Sequence, residues 1–252
     1  MKHDYKESFK KTREAGIIAA GALEEVSKII KPGLRTEEID KLCYEYFNDH
    51  GAYSAPLFYR GFPKSCCTST NHIVCHGIPS NKVLKDGDIV NVDVTALKDG
   101  WHGDTSRTFE IGNVSVKAKK LVRTTYESMM KAISIVKEDI YLGDIGSTIQ
   151  NYVEAKGFSV VQDFCGHGIG KEFHKEPNVL HYGKKGTGEK IKSGMIFTIE
   201  PMINLGRFET KTLKDGWTAV TKDKTLSAQF EHTIGVTNEG YEIFTLSSDQ
   251  IN

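Results

Sequence analysis

Apolar and polar positions follow two periods along this chain, and each change of period marks an element. From about Ser8 to Ile30, Ala15, Ile18, Ala22, Val26 and Ile29 recur at helical spacing, with Lys, Glu and Arg on the other side, which predicts an amphipathic helix. Pro32 and Gly33 end it. Thr36 is expected to cap a second helix, whose stripe of Ile39, Leu42, Cys43, Tyr46 and Phe47 runs to Gly51. An irregular stretch from Ala52 turns strand-like around Ser65 to His76 and is punctuated by Gly77 and Pro79.

Between Ile89 and Ile111 the period changes to two. Val90, Val92 and Val94 alternate with Asn91, Asp93 and Thr95, and Asp99-Gly100 is a pair suited to a two-residue hairpin turn. With Lys98 opposite Trp101, partners have numbers summing to 199, so Asp93 and Asp104 share a face as diagonal neighbours. Such positions lie roughly 7–8 Å apart at the backbone, close enough for two carboxylates to converge. The polar row continues through His102, Ser106 and Thr108. A lone aspartate in a hairpin is ordinarily solvated, but Trp101, Phe109 and the valines on the opposite face predict cover on at least one side.

After Ile111 the pattern restarts. Ser115 opens a long helical stretch through Leu121, Val122, Thr125, Met129, Ala132, Ile133 and Val136, and Asp144 is expected to cap a shorter helix ending at Gly157. Ile145, Tyr152 and Gly157 each lie 106 residues after Ile39, Tyr46 and Gly51, which predicts two halves of two helices followed by strands, over about 8–111 and 115–246. Short apolar runs follow at Ser159 to Phe164, Met195 to Ile203, Gln229 to Val236 and Glu242 to Leu246. The expected fold is α+β, an antiparallel-rich sheet with four helices outside it.

Composition narrows the function less than the pattern does. The 252 residues suit a single domain, and equal numbers of basic and acidic residues, 33 each, leave no global field for nucleic acid or an anionic membrane. The N-terminus, MKHDYKESFKK, lacks the apolar core of a secretory signal, and no apolar run is long enough to span a bilayer, so a cytoplasmic protein is expected. The five cysteines show neither CxxC spacing nor disulfide-scaffold density.

The chemistry gathers on five residues. Asp93, Asp104, His167, Glu200 and Glu231 comprise four carboxylates and one imidazole, a donor set suited to manganese, iron, cobalt or zinc and large enough for two ions. Four converging carboxylates repel one another unless cations neutralise them. A structural zinc site would draw on cysteines instead.

In order and spacing the motifs resemble the type I methionine aminopeptidases, over essentially the whole chain. They are YRGFPKS at Tyr59 to Ser65, NHIVCHGIP at Asn71 to Pro79, the VDV to HGDTSRTF hairpin, GHGIG with FH at Gly166 to His174, FTIEPMI at Phe197 to Ile203, KDGWTA at Lys214 to Ala219 and LSAQFEHTI at Leu226 to Ile234. The resemblance implies a pita-bread fold, two pseudo-symmetric halves of helices around a curved antiparallel sheet, as one catalytic domain over 1–252 without a zinc-finger extension. It implies that the five residues hold a dinuclear centre, with Asp104 and Glu231 bridging. His76 and His174 then match non-ligand histidines at the scissile amide and its oxyanion, and Tyr59, Phe62, Cys67, Phe173 and Trp217 a methionine pocket.

The implied activity is removal of the initiator methionine before a small second residue, by attack of a metal-bridging hydroxide with Glu200 as proton carrier. Implied partners are N-terminal methionines of peptides and nascent chains, with transient ribosome association and a monomeric enzyme. Phe62 stands where the family often has tyrosine, and Glu172 where it has glycine. His3, His50, His72, His102, His181 and His232 are read as structural. The nearest rivals are a proline-specific peptidase of the same fold and a non-catalytic binding module that has lost its ligands.

Overall fold

The hairpin that carries Asp93 and Asp104 is the centre of the computed structural model, which describes residues 5–247; His3 lies outside them. The elements of the first half are α1 (Lys6–Ile29), α2 (Thr36–Asp49), β1 (Tyr53–Ser54), a 3-10 turn (Tyr59–Gly61), β2 (Cys67–Thr70), β3 (Ile73–Cys75), β4 (Ile89–Lys98) and β5 (Trp101–Glu110). The second half begins with α3 (Val116–Ser134), α4 (Leu142–Glu154), β6 (Ser159–Val160), β7 (Gly166–Gly168), β8 (Lys175–Val179) and β9 (Ile196–Ile199). It ends with β10 (Met202–Asn204), β11 (Thr210–Thr212), β12 (Ala219–Thr221), β13 (Ser227–Gln229), β14 (Glu231–Val236) and β15 (Tyr241–Ile243).

The register of β4 and β5 is the predicted one, with Lys98 opposite Trp101, Thr95 opposite Asp104 and Asp93 opposite Ser106. Asp99 (φ 49°) and Gly100 (φ 79°) are both left-handed, as the tight turn requires. These strands lie within a nine-stranded sheet ordered β1-β4-β5-β14-β9-β7-β8, with β2 added on β4 and β15 on β14. Two three-stranded sheets, β13-β10-β6 and β11-β12-β3, fold over one side.

One face of the sheet is covered by helices. Ala19, Ala22, Leu23 and Val26 of α1, with Ile39, Cys43 and Phe47 of α2, pack on Val90, Val92, Val94 and Phe109. Leu121, Met129 and Ile133 of α3, with Ile145, Ile149 and Val153 of α4, cover Phe197, Ile199, Ile234 and Val236. Helix α1 sits close because Gly103 has no side chain: a Cβ there would lie 2.3 Å from the Gly16 nitrogen. The opposite face is not solvated, since Asn91, Thr95, Asp104 and Ser106 are each under 5 % exposed. Being covered on both sides, this face can hold polar groups only where they have partners.

Two expected caps are corrected. Thr36 is the first residue of α2 rather than its cap, and its hydroxyl exchanges hydrogen bonds with the Ser80 backbone. At the start of α2 the Glu38 carboxylate reaches back to the Arg35 N–H (2.8 Å). Asp144 likewise is the third residue of α4 and accepts from the Tyr141 N–H (2.8 Å). Both carboxylates satisfy an otherwise unpaired donor at the positive end of a helix. The two arrangements are 106 residues apart, the same offset as the repeated identities. Ser115 caps α3 as expected, accepting from the Ala118 N–H.

The four strands expected in the second half are also shorter, displaced or broken, the run from Gln229 to Val236 at Phe230, between β13 and β14. Ser159–Val160 replaces the longer run to Phe164, and Tyr241–Ile243 replaces Glu242–Leu246. The run from Met195 to Ile203 breaks at Glu200-Pro201 because proline has no N–H for a ladder.

Candidate active site

Five strands deliver the five candidate ligands to one face. Asp93 is on β4, Asp104 on β5, and Glu231 begins β14 opposite Ser106 of β5. His167 is the middle residue of β7, and Glu200 follows the end of β9. Glycines flank His167 for a steric reason: a Cβ on Gly166 would lie 2.4 Å from the Thr198 carbonyl oxygen, and one on Gly168 2.2 Å from that of Glu176. Only residues without side chains allow the neighbouring backbones to close around the imidazole.

Threonines hold this face in register. The Thr233 hydroxyl donates to the Asp104 carbonyl (2.7 Å) and accepts its N–H (3.0 Å). Opposite it, Thr198 donates to Glu200 Oε1 (2.8 Å) and accepts the His167 N–H (3.0 Å). Thr95 donates to Asp104 Oδ1 (2.7 Å), and Gln229 Nε2 donates to Glu200 Oε2 (3.2 Å). His181, fully buried, accepts the Glu200 N–H at Nε2 (3.1 Å). The bonds from Thr198, Thr95 and Gln229 orient carboxylates without neutralising them, and the others fix the backbone beneath.

The electrostatic consequence is a concentrated, unpaired acid cluster. One ligand atom each from Asp104, His167 and Glu231 lies within 4.8 Å of the others. His167 Nε2 is 3.7 Å from Asp104 Oδ2 and 3.5 Å from Glu200 Oε1. Asp93, diagonal to Asp104, stands outside that trio and is partly exposed at the floor of a cavity, yet lost hydration raises its pKa to about 7. Burial, and repulsion from neighbouring carboxylates, push Asp104, Glu200 and Glu231 well above the usual carboxylate range. Burial lowers His167 to about 4, so its imidazole is neutral and free to act as a ligand. Groups poised in this way mark functional sites more often than structural ones.

All twelve sequence-predicted site residues line one cavity of about 390 Å³. Phe62 meets Trp217 edge-on, with ring centroids 5.2 Å apart, and His76 stands edge-on to Phe164 (5.5 Å) and Trp217 (6.3 Å). His76 has a left-handed backbone (φ 55°), a strained state for a residue with a Cβ. On the other wall Tyr59, Phe173 and His174 are packed together, and the Tyr59 hydroxyl is 3.0 Å from His174 Nδ1. His174 is exposed at the mouth, but its ring is enclosed by these neighbours, and lost hydration together with nearby His167 and His76 lowers its pKa to about 3. Cys67 pairs with Asp93 across β2 and β4, and burial next to that carboxylate raises its thiol pKa, opposite to what a nucleophilic cysteine needs.

Sequence reading passed over the hydrogen-bonding support and part of the lining. Thr198 and Gln229 lie within the motifs and Thr95 in the alternating polar row beside Asp93, but pattern and spacing assign none of them a role, and His181 is read as structural. Phe164, Cys165 and Met202 add to the wall. His102 stacks on Phe173 (centroids 5.4 Å, 9° between planes) and bonds the Gly170 carbonyl.

Comparisons with known proteins agree with this geometry. The model of metallopeptidase family M24 matches residues 10–238. The chain is 54% identical over 245 residues to the methionine aminopeptidase of Rickettsia prowazekii (strain Madrid E), covering 97% of this chain and 95% of that one. The crystal structure of methionine aminopeptidase from Rickettsia prowazekii superposes with a TM-score of 0.95, covering 96% of this chain and 98% of that chain. That of the Thermotoga maritima methionine aminopeptidase gives 0.94 at 42% identity, covering 95% and 96%.

Proposed function

The chain belongs to metallopeptidase family M24 and, within it, to the methionine aminopeptidases, and from that premise we propose that it removes the N-terminal methionine of peptides and nascent chains whose second residue is small. We assign metal binding to Asp93, Asp104, His167, Glu200 and Glu231. The observation that carries this reading is the convergence of sequestered carboxylates around a neutral imidazole at the floor of an aromatic-lined cavity. Among the described residues no Lys or Arg pairs with any of the four, and two divalent ions would balance their ionised charge. The donor set suits cobalt, manganese, iron or zinc, which these residues would hold.

Divalent ions held there would supply Lewis acidity, lowering the pKa of a water and polarising a carbonyl. The remaining work belongs to side chains. Glu200, held by Thr198 and Gln229, takes the water's proton and passes it to the leaving amine. With the Tyr59 hydroxyl donating to Nδ1, His174 keeps its proton on Nε2 and donates it to the developing oxyanion. His76 hydrogen-bonds the substrate beside the scissile nitrogen. Phe62, Cys67, Phe173 and Trp217 receive the thioether, whose sulfur contacts ring edges favourably. The acidic residues of the floor, with the ions they would hold, recognise a free α-amine, which makes the enzyme an exopeptidase. Nascent chains as substrates imply a transient encounter with the ribosome in the cytoplasm. No helix of the described residues is long and apolar enough to cross a membrane.

Manganese-loaded protein should release methionine from Met-Ala-Ser and leave Ala-Pro peptides intact. Cleavage of the Ala-Pro peptide alone would favour a proline-specific peptidase, and cleavage of neither, with metal bound, a non-catalytic binding module.

A further inference from the structure

The cavity has a charge axis that methionine recognition leaves unused. Its floor is acidic, and among the residues lining it Arg60 is the single Lys or Arg. Arg60 lies in the 3-10 turn at Tyr59–Gly61 with left-handed dihedrals (φ 48°, ψ 28°), flanked by positive φ at Phe58 (65°) and Gly61 (88°). Two residues with a Cβ in this disfavoured region, so close together, turn the segment sharply at the mouth; strain of this kind persists where a particular side-chain placement is useful. The guanidinium carbon lies 5.3 Å from the Tyr59 ring centroid, a stacking that limits its orientation. Among the described residues no carboxylate pairs with it. Asp163, which also lines the cavity, instead accepts a hydrogen bond from the Thr210 hydroxyl.

This inference rests on the methionine-removing reading. With the α-amine held at the floor and the thioether among the aromatic rings, the peptide beyond the scissile bond must leave through the mouth. There it passes Tyr59, His174 and Arg60. We infer that Arg60 is a specificity-determining residue, whose guanidinium takes a carboxylate from the part of the substrate beyond its second residue. That carboxylate is either an acidic side chain at the third or fourth position or the C-terminal carboxylate of a short peptide. A planar, pre-oriented fork of donors matches a carboxylate better than any other peptide group.

Metal-loaded enzyme is tested with Met-Ala-Xaa-Gly and Met-Ala-Gly-Xaa amides, where Xaa is Asp, Asn or Lys, and with Met-Ala-Ser as free acid and amide. The expected kcat/KM is about three- to tenfold higher for Asp than Asn at one of the two positions, expressed in KM and weakened by 0.5 M salt. The acid and amide pair reads the C-terminal source separately. Arg60→Gln should bring the Asp/Asn ratio to one, Arg60→Lys should keep its sign at reduced size, and Arg60→Glu should transfer the preference to Lys. A ratio near one in the unaltered enzyme for every pair, or a ratio that survives Arg60→Gln, overturns the inference. If no methionyl peptide is cleaved at all, the methionine reading fails instead.

Discussion

Binding of manganese to metal-free protein at pH 7 should expel protons, and the number follows from the site. Asp93, with its pKa near 7, is then about half protonated. Asp104, Glu200 and Glu231 are also raised well above the usual carboxylate range, because burial and repulsion from neighbouring carboxylates disfavour their charged forms. His167, at about 4, has no proton to lose. Ligand carboxylates must be ionised, so about half a proton from Asp93, together with whatever the three other raised carboxylates hold, should leave as the site fills, and affinity should rise with pH. Titration calorimetry in buffers of different ionisation enthalpy counts these protons directly, and dissociation constants at pH 6.5, 7.0 and 7.5 give the slope. Asp93→Asn should lower the count by about half a proton at pH 7, since that is the share the wild-type group carries. A heat of binding that is the same in every buffer, with an affinity flat over this range, would refute the reasoning, because it would mean that the cluster is already ionised.

Other expectations concern stability, support and catalysis. A carboxylate whose folded pKa is raised contributes stability at low pH that is lost as pH rises through that pKa, so the chelated protein should melt progressively lower from about pH 5 to about pH 7, the window set by Asp93, and added manganese should reverse the loss. Gly168→Ala, which brings a Cβ against the Glu176 backbone, should lower stability by about 1–3 kcal/mol in denaturant titrations; an unchanged midpoint would show that the β7–β8 contact is slack. Thr95→Val removes the hydrogen bond to Asp104 and should weaken metal binding about tenfold or more, measured by competition with a chelating dye. His174→Ala should retain its metal while turnover falls about 10²–10³-fold, whereas His167→Ala should lose metal on dialysis; equal metal loss in both would make His174 a ligand.

Much of this site is legible along the chain because it is built on a regular element. The alternation of Val90 to Thr95, the Asp99-Gly100 turn and the parity of positions are enough to put Asp93 and Asp104 on one face, and the register agrees residue for residue. His167 is flagged by its glycines, whose necessity becomes visible only when three backbones meet. The support is not legible, because β11, β12 and β13 are three residues each, too short to show a period. Thus Gln229 carries no local sign that it faces Glu200. The shifted caps have a similar origin: Thr36 has the composition of a cap, yet Glu38 satisfies the helix end from the third position and frees Thr36 to bind the Ser80 loop. The left-handed backbone of His76 likewise follows from its place between β3 and Gly77, which bonds Thr68 and Ser69, and not from its residue type.

The central claim is that ions held by the acid cluster make this protein remove N-terminal methionine. It is tested most directly by adding manganese stepwise to chelated protein while counting bound ions, locating them by anomalous diffraction and measuring methionine freed from Met-Ala-Ser. The account predicts no release without metal, release that rises with occupancy, and anomalous density among Asp93, Asp104, His167, Glu200 and Glu231. Methionine release under verified metal loss, or ions bound elsewhere while that cluster stays empty and the enzyme is active, would contradict it.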